Sequence, residues 1–248
     1  MTGQFSSLQK AGFLPREWKA FASFLRNPLL PPTANRPGLA SLRAIIQLYA
    51  LDILLMAGLV GIGFLAKSLG AELPRSELEG FTLDAVMIGM LVLFAPLVEE
   101  IGFRSWLSGR TGHFVALVAL GAGLVSLPVA QSTIGMPLVG AGFLLLGVVM
   151  AGLALWHWRG QPATGWFTRH FRWFYFASAL AFALVHFTNY KAGEGLILLV
   201  LVVPQLIAGL IFGYGRVRYG LWASVLLHVL HNALVVGLVL GFGGNGGA

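Results

Sequence analysis

LDAVMIGMLVLFAPLVEEIGFR, residues 83–104, is the stretch that decides how this chain is read. From Leu83 to Val98 its only charged residue is Asp84. Two adjacent carboxylates follow, Glu99 and Glu100, with Arg104 four residues after the second. About 20 apolar residues are enough to cross a bilayer as a helix. A carboxylate in or near hydrocarbon is costly and marks a functional site by default. The stretch therefore predicts a membrane-spanning helix that carries chemistry near one end.

The rest of the chain agrees. Of its 248 residues 57% are hydrophobic and only 10% are charged, with a mean hydropathy of +0.82. A soluble domain would carry about 25% charged residues, so the expectation is an all-α, polytopic membrane protein. The absence of cysteine excludes a disulfide framework, a thiolate nucleophile and Cys-based zinc sites. A net charge of +7 would suggest nucleic acid in a soluble protein. Here the basic residues sit in short loops between apolar runs, so the charge reads as membrane orientation and no nucleic-acid partner is expected.

Residues 1–42 read as a basic arm, too polar and proline-rich for a signal-peptide core. Within it Trp18, Phe21, Ala22 and Leu25 recur at helical spacing, which suits a short amphipathic helix lying in the headgroup layer or packed on the protein itself. Seven apolar runs follow, near 43–66, 83–106, 113–133, 137–158, 173–190, 195–215 and 219–242, and an eighth short span is compatible with the pattern. They form one helical domain over 43–242, followed by a glycine-rich tail, 243–248. With seven spans, thirteen Lys and Arg fall on one side and three on the other. This predicts a multi-pass protein of a cell inner or plasma membrane with its N-terminus in the cytoplasm.

Helical geometry separates the two glutamates. Glu100 and Arg104 are i, i+4 and can pair along one face, whereas Glu99 fits that pairing less well. Glu99 is then the free carboxylate, suited to act as a general base. The fifth run holds Phe182 and His186, and the seventh holds His228, His231 and Asn232. Imidazole can move a proton or bind a metal, and an amide can donate to developing negative charge. Polar groups facing lipid would each be costly, so three spans bearing such groups suggest one shared polar cavity. His231 reads equally as a packing residue. Asp52 and Gln205 read as packing polar groups, with Asp52 also able to support the cavity. His113, His157 and His170 lie at span ends and read as solvated or in the headgroup region.

Glu99-Glu100-x-x-x-Arg104, Phe182-x-x-x-His186 and His228-x-x-x-Asn232, in that order over about 135 residues, resemble the motifs of the CPBP intramembrane proteases. This is the CAAX-protease and bacteriocin-processing (Abi) family, which includes type II prenyl endopeptidases. The resemblance implies an intramembrane endopeptidase acting on a membrane-associated peptide, prenylated at its C-terminus or otherwise. It implies a catalytic set of Glu99, Glu100, His186, His228 and Asn232, supported by Arg104 and Phe182. Glu99 and His186 would activate water, and His228 with Asn232 would stabilise the oxyanion. The family is described both as metalloprotease and as glutamate-dependent. By ligand counting Glu99, His186 and His228 could hold Zn²⁺, although no His-Glu-x-x-His helix favours a metal. Lipids and a membrane-bound substrate are the expected partners. A non-enzymatic role in bacteriocin immunity or scaffolding and proton-coupled transport are the alternatives; no internal repeat favours transport. One tension stands in the count. At ~1.5 Å per residue, Glu99 and His228 lie roughly 11–14 Å from the ends of their spans, but His186 lies nearer 20 Å.

Overall fold

The computed structural model describes residues 15–71, 83–189 and 202–243, and among them every regular element is helical. A short α1 (Arg16–Arg26) precedes α2 (Leu39–Ser68). The next span is broken: α3 (Ala85–Gly89), a π-helical turn (Met90–Phe94), α4 (Ala95–Arg104) and a 3₁₀ turn (Ser105–Ser108). Then come α5 (Thr111–Ile134), α6 (Pro137–His157), α7 (Gly165–Val185) with a 3₁₀ turn at His186–Asn189, α8 (Val203–Tyr219) and α9 (Leu221–Gly243). Six of these stretches are long and apolar enough to cross a membrane; α8, at 17 described residues, is the shorter seventh helix. The start of the predicted sixth span, the arm before residue 15, the loop with Arg75 and the glycine tail's last residues lie outside the described residues. The chain is thus a polytopic helical membrane protein.

Asp84 starts the broken span by accepting from the Met87 amide at 2.8 Å, an N-cap. The π turn follows from Pro96. The Ala95 amide reaches back five residues to the Met90 carbonyl. The Leu91 carbonyl would take its π-type bond from residue 96, but proline has no N–H to give. That carbonyl is left for another element to satisfy.

Helix α8 is the centre of the bundle. Its small residues let neighbours close in: a Cβ on Gly213 would stand 3.0 Å from the Tyr175 ring on α7, and one on Gly215 would stand 2.8 Å from Leu227 on α9. Close approach through small residues is how helices pack where lipid removes the hydrophobic drive between them. Ile45 and Leu48 of α2, Ile211 and Phe212 of α8, and Leu227 of α9 are fully buried together. Tyr175 donates to the Leu210 carbonyl at 2.6 Å, tying α7 to α8. The apolar stripe of α1 turns onto this bundle: Phe21 is buried and Phe24 meets Tyr175 and Tyr214 edge-on. Tyr214 and Tyr219 both donate to Glu17, and the Trp18 indole donates to the Gln47 carbonyl.

Helices α5 and α6 form a tight hairpin. A Cβ on Gly140 would stand 2.8 Å from the Ser126 carbonyl, and Ser126 donates across the interface to the Gly140 carbonyl at 3.0 Å. Gly109, with φ of +68°, makes the turn into α5 while the Phe167 ring sits where its side chain would be.

Candidate active site

Five helices, α2, α4, α7, α8 and α9, together with the 3₁₀ turn at His186 and the π turn at Leu91, build the site. Glu100 on α4 is the hub. Its Oε1 accepts from Arg104 Nη1 at 2.8 Å and from His228 Nδ1 at 2.9 Å, and its Oε2 accepts from the Ser224 hydroxyl. Both Glu100 and Arg104 are fully buried, as the i, i+4 pairing expected. The Arg104 guanidinium lies 3.8 Å from the centroid of the Phe182 ring, a cation–π contact in a desolvated place. Phe182 also packs against both the His186 and His228 rings. Gly209 on α8 makes room, because a Cβ there would stand 3.2 Å from the Phe182 ring and 3.4 Å from Arg104 Nη2.

Glu99 turns away from that network. Its Oε2 is buried and has no hydrogen-bond partner among the described residues. His228 Nε2 stands 3.8 Å from it and His186 Nε2 stands 3.9 Å away. The partners of the opposite ring nitrogens fix the tautomers. His186 Nδ1 faces the Phe182 carbonyl at 2.7 Å, an acceptor only, so that nitrogen carries the proton. His228 Nδ1 donates to the Glu100 carboxylate. Neutral, both imidazoles therefore present bare Nε2 lone pairs toward Glu99. Three acceptors surround one point, and a donor must bridge them.

The depth problem posed by His186 resolves through side-chain direction. Ser178 on α7 donates to the Phe103 carbonyl at 2.6 Å, which levels the two helices at that point. From there His186 lies about 12 Å onward and Glu99 about 6 Å back along α4. The contacts show the helices to be antiparallel, since Phe103 meets Phe182 while Glu99 meets His186. Side chains lean toward the N-terminus of their own helix, so in this pair the two lean toward each other.

Asn232 occupies the post left open by Pro96. Its Nδ2 donates to the Leu91 carbonyl at 2.8 Å, which leaves one amide N–H for other work. His231, left open between packing and function, donates from Nδ1 to Asp52 Oδ2 at 2.7 Å. Asp52 is 1% exposed, and its Oδ1 has no partner among the described residues. The residue pair is separated by 179 positions, so no local spacing could have disclosed it. Glu99, His186, His228, His231, Asn232 and Gln205 all line one cavity of about 390 Å³. The remaining lining is apolar, including Met56, Val60, Ala208 and Val235.

A metal fits this arrangement poorly. Tetrahedral Zn²⁺ with bonds near 2.0–2.1 Å would draw its ligand atoms to roughly 3.3 Å apart, closer than the 3.8 and 3.9 Å seen. Among the described residues no group of three or more His, Cys, Asp or Glu is placed to hold a metal ion. No step below is routed through one.

A family model described as "Type II CAAX prenyl endopeptidase Rce1-like" matches residues 81–234, more than half of the chain and all of the residues above except Asp52, Met56, Val60 and Val235. No curated protein and no solved structure matches the chain.

Proposed function

Since the chain belongs to the Rce1-like family of type II CAAX prenyl endopeptidases, we propose that it hydrolyses a peptide bond of a membrane-anchored substrate at the Glu99 cavity. The observation that carries this reading is the unpartnered Glu99 Oε2 faced by two proton-free imidazole nitrogens. Water is the natural bridge. It has two hydrogens to give, one to Glu99 and one to His186 Nε2, and its lone pair is then turned outward.

The chemistry follows in two steps. Glu99 takes a proton from water as the oxygen bonds to the scissile carbonyl carbon, giving a tetrahedral oxyanion. The free Asn232 N–H donates to that oxyanion. A neutral His228 cannot do so from Nε2, because its proton is committed to Glu100. The intermediate then collapses, the C–N bond breaks, and the amine leaves with the proton held by Glu99. The Asp52–His231 pair offers the cavity a second place to hold a proton.

The apolar lining of the cavity suits a hydrocarbon-bearing substrate, and the family description points to a prenylated C-terminal peptide. The test is cleavage of prenylated and unprenylated C-terminal peptides by purified protein in liposomes. Cleavage of the prenylated peptide, lost in Glu99→Gln, supports the reading. No cleavage of either peptide by the wild-type chain sinks it.

A further inference from the structure

A second cavity, of about 320 Å³, lies away from the proposed active site, between the end of α4 and the proline-rich segment joining α1 to α2. Its polar lining comes from Arg110, Arg216, His113 and Ser108, and residues Leu30 to Ala34 close one side. That strap is fixed, with the Asn35 amide donating to the Arg218 carbonyl at 2.7 Å and the Ser41 hydroxyl donating to the Arg36 carbonyl at 2.8 Å.

Among the described residues the charge in this cavity has no counterpart. The acidic side chains among the described residues are Glu17, Asp52, Asp84, Glu99 and Glu100, and none lines it. Neither Arg110 nor Arg216 makes an ion pair among the described residues. Arg216 is held rigidly: Nε donates to the Arg104 carbonyl at 3.0 Å and Nη2 to the Ser105 carbonyl at 3.1 Å. Its Nη1 has no hydrogen-bond partner among the described residues. His113 was expected at its span end to be solvated or in the headgroup region; its Nδ1 is buried without a hydrogen-bond partner among the described residues. The imidazole lines the cavity that the strap and α8 also line. Two guanidinium groups and an unpartnered imidazole nitrogen in one confined space are costly unless an anion joins them.

We propose that this cavity is a phosphate-binding site built by Arg110, Arg216 and His113. Guanidinium forks match phosphate oxygens in geometry as well as charge. The space is about ten times the ~30 Å³ share of one water, enough for a phosphate with a substituent. The same chemistry is offered by a phospholipid headgroup and by free phosphate. Because Arg216 grips the last carbonyls around the end of α4, a bound anion fixes the end of the helix that carries Glu99 and Glu100.

The test is thermal melting of the full chain in an uncharged detergent, titrated with inorganic phosphate, with phosphatidylglycerol or with phosphatidylcholine. Arg110→Gln removes one side of the site without breaking a side-chain hydrogen bond or ion pair among the described residues. Arg172→Gln, an exposed arginine on α7, is the control for general surface charge. The expected result is a saturable rise of several degrees, kept in Arg172→Gln, with the half-saturating concentration raised about tenfold in Arg110→Gln. A rise with inorganic phosphate alone assigns a soluble ligand, and a rise confined to phosphatidylglycerol assigns a headgroup. No rise with either anion, an equal response in Arg110→Gln, or an equal response to phosphatidylcholine overturns the proposal.

Discussion

Glu99 and Glu100 are adjacent in the chain and occupy opposite electrostatic situations. Glu100 is fully buried and accepts from Arg104, His228 and Ser224, while Glu99 Oε2 has no partner among the described residues and faces the cavity. The helix separates them by about 100°, so one carboxylate braces the bundle and the other is left to react.

Glu99→Gln keeps the size of the side chain and removes its basicity. Turnover of a membrane-anchored peptide should fall by about 10²–10⁴-fold, while the detergent melting temperature stays close to wild type. Full activity in this variant would remove Glu99 from the mechanism.

Glu100→Ala should behave in the opposite way. It strands the Arg104 guanidinium in a fully buried site, a loss worth about 3–5 kcal/mol when one member of a buried pair is deleted. A melting curve unchanged from wild type would show that the network carries no stability.

Asn232→Leu should affect both quantities. The Leu91 carbonyl loses the side-chain donor that Asn232 supplies, which costs up to about 1–3 kcal/mol for an unsatisfied group away from water. Catalysis should fall as well, since the amide N–H is gone. Stability lost with kcat retained would confine Asn232 to bracing the broken span.

Asp52→Asn tests the second proton-holding pair. If His231 exchanges protons during turnover, kcat should fall by about 10²-fold with KM little changed. A rise in KM alone, with kcat intact, would show that the pair shapes the cavity and nothing more.

Gly140→Leu lies far from these groups in the chain and in function. A Cβ there meets backbone of α5 at 2.8 Å, and backbone cannot yield as a side-chain tip does. The α5–α6 hairpin should lose about 1–3 kcal/mol, measured as a lower melting temperature. An unchanged melting temperature would show that the hairpin can open to admit the side chain.

Much of this was legible before any coordinates. Apolar runs of bilayer length announced the helices, because length and hydropathy act locally. The Glu100–Arg104 pair was legible for the same reason, since i, i+4 neighbours on one helix meet wherever the helix goes. The motif order named Glu99, His186, His228 and Asn232, and the fold brings all four to one cavity. The count of depth along α7 misled, because it measured backbone positions and ignored the opposite lean of side chains on antiparallel helices.

The sequence by itself determined that this chain is a helical membrane protein with scarce, costly polar groups on three of its spans, because hydrophobicity and helical periodicity are properties of neighbouring residues. Only the tertiary structure decided which of those groups are partners. Asp52 meets His231, Asn232 meets Leu91, and Arg216 meets the end of α4, all across more than a hundred residues. Such pairings depend on how helices cross and which carbonyl a proline leaves unbonded, and no local spacing records either.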